Sequence, residues 1–175
     1  MNETEDREAR FKLGNEAKER FKEYLKEKGY IIIDSGMENW IPDFFHKIIR
    51  SIHNNKTIDF VRYFPDLILL NKSKTNIALI EVKATSKKYR EGENFAIETA
   101  SLRNMQMLEE MGINVLIVFE NKPYEFYMAK PSDIKVFKSY TINEIRNIRL
   151  LYGKNGSGTP MSLIKKKSIR RLILD

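Results

Sequence analysis

Residues 64–88 read FPDLILLNKSKTNIALIEVKATSKK, and no other stretch restricts the fold as tightly. Two apolar runs, residues 67–70 and 77–80, flank a short polar turn, which predicts an antiparallel hairpin. A turn centred between Ser73 and Lys74 pairs residues whose numbers sum to 147, so Asp66 faces Glu81. Opposed residues stand about 4.5–5.5 Å apart at Cβ, and like charges so placed repel. Glu81 and Lys83 are two apart in one strand and share a side of the sheet, while Ile80 and Val82 take the other. Three ionisable groups therefore converge inside an apolar setting.

An isolated buried charge costs several kcal/mol even after relaxation, so a chain that keeps three together gains something from them. A divalent cation would turn the carboxylate repulsion into attraction, and oxygen ligands without sulfur or imidazole suit Mg²⁺ or Mn²⁺. The simpler alternative, an ion pair of Lys83 with Asp66 or Glu81, leaves one carboxylate unpaired. The bare pattern of acid, any residue, lysine also occurs at Glu16-Ala17-Lys18, Glu120-Asn121-Lys122 and Asp133-Ile134-Lys135. Asp43 follows a second proline, but it lies at a helix start with no hairpin joining it to Glu81. Only Asp66, Glu81 and Lys83 combine apolar surroundings with converging geometry.

Charge placement points to a polyanion. The net charge is +7, and residues 146–171 hold eight basic side chains and no acidic one. That leaves 23 of the 31 basic residues against all 24 acidic ones elsewhere, so the whole excess lies in this segment. Concentrated positive charge is the footprint of phosphate binding, although a solvated basic tail reads the same way. Lys165, Lys166, Lys167, Arg170 and Arg171 are the nucleic-acid-binding candidates here. Lys87 and Lys88, with Arg90, follow directly after the charged strand and are candidates to grip the scissile strand. The chain has no cysteine, which excludes disulfides and thiol chemistry. Its N-terminus, MNETEDREAR, is acidic and polar, unlike a signal peptide, and its longest purely apolar run, residues 115–119, is far short of a membrane span. A soluble, cytoplasmic protein is the expectation, in a host cytoplasm if phage-encoded.

Along the chain, periodicity predicts a helix over 5–28, with Leu13, Ala17, Phe21, Tyr24 and Leu25 on one stripe. A short strand follows over 30–34, then a helix opened by Pro42 with Phe45, Ile48, Ile49 and Ile52 on one face. Residues 57–70 read as extended, and 94–111 as a helix whose Met105, Met107, Leu108 and Met111 belong to the core. Residues 114–120 and 124–129 read as strands paired across the turn Glu120-Asn121-Lys122-Pro123. The capping box Thr141-Ile142-Asn143-Glu144 predicts a helix ending near Gly153. The stretch GKNGSGTP matches no phosphate-binding loop and reads as a linker. His46 and His53 share a helical face and read as surface histidines, with metal or phosphate contact as the alternative. Tyr124, Phe126 and Tyr127 suit strand packing better than base stacking.

Pro65-Asp66 followed by Glu81-Val82-Lys83 resembles the signature of the PD-(D/E)xK nuclease superfamily, and the size and first helix look most like phage or archaeal Holliday-junction resolvases. The resemblance implies an α/β restriction-endonuclease-like core, a central mixed β-sheet in the order αβββαβ, flanked by helices. A helical insert at about 40–54 and a basic C-terminal extension would be additions to it. Residues 1–152 would form the nuclease-like domain, with 153–175 a glycine-rich loop and basic segment packed on it. The implied activity is divalent-metal-dependent hydrolysis of DNA phosphodiesters, as an endonuclease with structure-selective, resolvase-like action in view. Asp66, Glu81 and the Val82 carbonyl would hold the metal, which acidifies a bound water. Lys83 would orient that water, and Glu16, on the first helix after Gly14, would add a further catalytic carboxylate. RNA as substrate, and a non-catalytic nucleic-acid-binding protein on the same fold, are the alternatives. No membrane partner is expected, and a C2 homodimer would be natural for cutting two strands.

Overall fold

The structure, a computed structural model, describes residues 3–39, 41, 42, 45, 48, 49, 56–85, 93–140 and 160–172. It opens with helix α1 (Glu3–Glu27), ended by Gly29 in the left-handed region at φ 79°. Strand β1 (Ile31–Asp34), helix α2 (Lys56–Arg62) and strands β2 (Leu67–Leu70), β3 (Ile77–Ala84) and β4 (Asn94–Glu98) follow. Helix α3 (Thr99–Glu110) leads to β5 (Val115–Lys122), β6 (Glu125–Ala129), β7 (Val136–Tyr140), β8 (Met161–Lys165) and β9 (Arg170–Arg171). Six strands form one mixed sheet in the order β1-β2-β3-β5-β6-β9, parallel only between β3 and β5. The other three form an antiparallel sheet in the order β4-β8-β7. The expected order of helix, three strands, helix and strand is thus present, with a second sheet added.

The β2–β3 register pairs Leu67 with Ile80 and Leu70 with Ile77, as the turn chemistry predicts. Asn71 holds that turn: its side-chain oxygen accepts the Thr75 and Asn76 N–H groups at 2.9 and 3.0 Å, and Lys74 takes φ 56°. The large sheet then separates two cores. On one face Ala17, Phe21 and Leu25 of α1 pack on Leu67, Ile80, Val82, Val118 and Phe126. On the other, Met105 and Leu108 of α3 join Leu79, Phe95, Ile97, Ile117 and Phe119, with the Phe95 and Phe119 rings stacked at 4.7 Å.

Four expectations are corrected. Residues 94–98 are strand, because Phe95 and Ile97 alternate into the core and β8 supplies their partner strand. Residues 56–62 are helix rather than extended, since Phe60 and Phe64, four apart, meet at 5.6 Å and lie against the α3-side core. Strand β5 runs through to Lys122, so the turn before β6 is only Pro123-Tyr124, with Tyr124 in the left-handed region at φ 63°. Met107 and Met111 are 38% and 68% exposed, not core. The capping-box segment and glycine-rich stretch, 141–159, and most of the 40–54 insert, His46 and His53 included, lie outside the described residues.

The basic C-terminal stretch is woven into both sheets: β8 lies between β4 and β7, and β9 extends the large sheet beside β6. Ile164 is fully buried and Leu163 nearly so. Ile164→Ala is therefore expected to cost about 2–5 kcal/mol, the range for an emptied core position. Urea unfolding, read as a fall in midpoint at constant slope, checks this.

Candidate active site

Strand β2 stops pairing at Leu67, but β3 continues to Ala84 with β5 alone as its backbone partner. Asp66 stands where β2 would have continued. Its Oδ2 accepts the Val82 N–H at 2.8 Å, so a side-chain carboxylate takes a ladder bond that a backbone carbonyl would otherwise take. The Asp66 carbonyl accepts the Ser35 and Gly36 N–H groups at 2.8 and 3.1 Å, locking the residue to the end of β1. Ser35 Oγ donates to the Pro65 carbonyl at 2.9 Å, which secures the preceding proline as well.

Glu81 is buried, 5% exposed, and its Oε1 receives both the Lys83 ammonium and the Ser101 hydroxyl, the latter at 3.2 Å. Ser101 lies in the first turn of α3, so the helix that covers this face also steers the carboxylate. Glu98, the residue before α3, adds to the negative charge that acts on Lys83. Lys83 is held firmly protonated: burial opposes its charge, but Glu81, Asp66 and Glu98 together outweigh it. Asp66 goes the other way. Burial and the Glu81 charge raise its carboxyl from an ordinary 3.8 to about 7, against the opposing pull of Lys83, the Val82 N–H and Lys18.

A carboxyl raised in the folded state stabilises the fold fully below its unfolded value and loses that contribution as pH rises through its folded value. Metal-free protein should therefore lose stability steadily from about pH 4 to about pH 7 on account of Asp66. Asp66→Asn should remove that slope. Urea midpoints of both proteins across this range measure the difference.

The site residues expected from the sequence divide. Asp66, Glu81 and Lys83 come together. Glu16 does not join them: its carboxylate, 46% exposed, pairs with Arg20 at 3.6 Å. Among the described residues no three His, Cys, Asp or Glu side chains gather as a metal-binding cluster. Lys87, Lys88 and Arg90 lie outside the described residues. Of the C-terminal cations, Lys165 sits over the Phe137 ring at 4.4 Å, while Lys166 lies over Tyr127 at 5.2 Å and 3.9 Å from Glu125. Arg171 also approaches Glu125 at 3.9 Å. Lys167 and Arg170 are exposed.

Sequence reasoning missed Ser101, Glu98 and the pair formed by Arg20 and Glu120. Glu120 is buried, and Arg20 reaches it with two bonds of 2.7 Å each, pinning α1 to β5 beside the site. The signal for Ser101 was a polar residue on the buried side of α3, a position it shares with Asn104; nothing local marks the other two. No described helix is long and apolar enough to cross a membrane.

No protein-family model matches the chain, and no curated protein matches it in sequence. Among solved structures it is similar to Hjc, a Holliday junction resolvase from the archaeal hyperthermophile Archaeoglobus fulgidus. That alignment has a TM-score of 0.47 and 8% identity, and covers 89% of this chain and 85% of the other.

Proposed function

We propose that the chain is a divalent-metal-dependent nuclease that hydrolyses DNA phosphodiesters, acting as an endonuclease. The observation that carries this reading is the charge balance of the hairpin site. Lys83 and Ser101 both engage Glu81 Oε1, while Asp66 keeps a single backbone N–H and a carboxyl raised to about 7. Asp66 therefore remains poorly compensated as an anion, and the donors of the site are hard oxygens. Asp66, Glu81 and the Val82 carbonyl fit Mg²⁺ or Mn²⁺. A cation there would supply Lewis-acid stabilisation of phosphate charge and acidify a water. The chain's own groups do the rest. Asp66 and Glu81 hold the donor geometry, Ser101 fixes the Glu81 rotamer, and Lys83 stays protonated to offset negative charge developing on the phosphate.

The test is cleavage of supercoiled plasmid, linear duplex, single strands, RNA and a four-way junction, each with Mg²⁺, Mn²⁺ or EDTA. Metal-dependent cutting of DNA is expected, abolished by EDTA. A preference for the junction would make the enzyme structure-selective, and cutting of RNA alone would replace the substrate. Mg²⁺ should also raise the melting temperature by mass action, an effect that weakens below about pH 7 as protons compete for Asp66. Identical melting with and without about 10 mM metal would remove the site as drawn.

A further inference from the structure

Helix α1 presents two flanks beside its buried stripe, and they face different strands. Glu16, Arg20 and Glu23 form one. Arg20 grips Glu120 of β5, Glu16 pairs back to Arg20 at 3.6 Å, and Glu23 accepts the Tyr124 hydroxyl at 3.3 Å. Lys18 and Lys22, one turn apart, form the other. Lys22 reaches Asp34 at 2.8 Å, and Asp34 pairs with Leu67, the neighbour of Asp66. Lys18 is half-buried on this same side, and its charge acts on the Asp66 carboxylate. At 3.6 residues per turn Glu16 and Lys18 stand about 200° apart, so the helix cannot turn both toward the hairpin. With Arg20 and Lys22 both tied down, it turns Lys18.

We propose that Lys18 is a second substrate-contacting cation of the site, which binds the phosphodiester beside Asp66 in the place where a third carboxylate would otherwise stand. The inference rests on the nuclease reading and deepens it: the centre holds one divalent cation, and Lys18 supplies the remaining positive charge toward the phosphate. No three His, Cys, Asp or Glu side chains gather as a metal-binding cluster among the described residues, which agrees with a single-cation centre. A lysine is suited to the task, because its ammonium is a compact point charge on a flexible stem that meets phosphate without fixed orientation.

The experiment compares wild type, Lys18→Ala and Lys18→Arg in three measurements. The first is binding of labelled duplex DNA with Ca²⁺ across a salt series. The second is single-turnover cleavage with Mg²⁺ at saturating DNA. The third is the Mg²⁺ concentration that half-saturates the thermal shift. Lys18→Ala should flatten the slope of log K against log salt by about 0.9, the value for one phosphate left unneutralised. It should slow cleavage roughly 10²-fold, the scale for one missing electrostatic donor. It should also tighten Mg²⁺ binding, since a like charge beside the metal has gone; a lysine that merely supported the carboxylates would weaken it. Lys18→Arg should restore the salt slope. Wild-type slope and rate in Lys18→Ala overturn the inference while leaving the nuclease reading intact. A wild type that binds DNA but never cuts it removes the nuclease reading, and the salt slope then still decides whether Lys18 meets phosphate.

Discussion

Lys83→Ala is expected to slow single-turnover cleavage of DNA by roughly 10²-fold or more, with little change in DNA affinity. Lys83 is half-buried and held by Glu81, so under the proposed function it acts at one phosphate and adds little to the surface that binds the rest of the duplex. Neutralising the C-terminal cations should do the reverse. Among them Lys167 and Arg170 are exposed, whereas Lys165, Lys166 and Arg171 have ring or carboxylate partners within the fold. Replacing Lys167 and Arg170 together should weaken binding and flatten the salt slope by about 0.9 for each phosphate no longer neutralised, with chemistry at saturation preserved. If Lys83→Ala cuts at the wild-type rate while the double replacement abolishes chemistry at saturation, the two roles are reversed and the hairpin charges are structural.

Arg20→Ala should have the largest effect on stability. It strands the Glu120 carboxylate, 3% exposed, with the Tyr124 N–H at 3.1 Å in place of a two-pronged guanidinium. Removing one partner of a buried pair typically costs about 3–5 kcal/mol, because the remaining charge has lost its compensation. Replacing both, as Arg20→Met with Glu120→Leu, should recover most of that loss, since apolar groups of similar volume fill the space without a charge to compensate. Denaturant unfolding of the two single variants and the double variant completes the cycle, with a large positive coupling expected.

The hairpin was legible because its information is local. Two apolar runs, a turn rich in Asn, Ser and Thr, and a fixed period of two are enough to set the register and to bring Asp66, Glu81 and Lys83 together. Strand β4 was not legible for the opposite reason. NFAIETASLRNM reads continuously as a helix unless the partner strand is known, and that partner lies far along the chain. The strands of the charged C-terminus were hidden similarly: Leu163, Ile164 and Ile169 are buried within a segment whose lysines and arginines dominate its composition. The helix over 56–62 was hidden by its β-branched residues, whose preference is overridden by the contact between Phe60 and Phe64. At the site, the glutamate after Gly14 looked suitable from its position alone. Which flank of α1 meets the hairpin is decided by Glu120, about a hundred residues away, and no helical periodicity contains that information.

The placement of β8 between β4 and β7 has a consequence for the time course of synthesis. The charged hairpin is complete soon after its own residues emerge, whereas β4 must wait about sixty residues for β8, roughly 3–12 s at ordinary elongation rates. Throughout that interval Phe95 and Ile97 lie on an unpaired edge, the kind of surface on which nascent chains stick to one another. The charged hairpin is thus built early, and the strand that completes the pairing of β4 arrives late. Chaperone demand during translation should therefore centre on residues 94–98, and crowding should reduce yield well before it affects the finished protein.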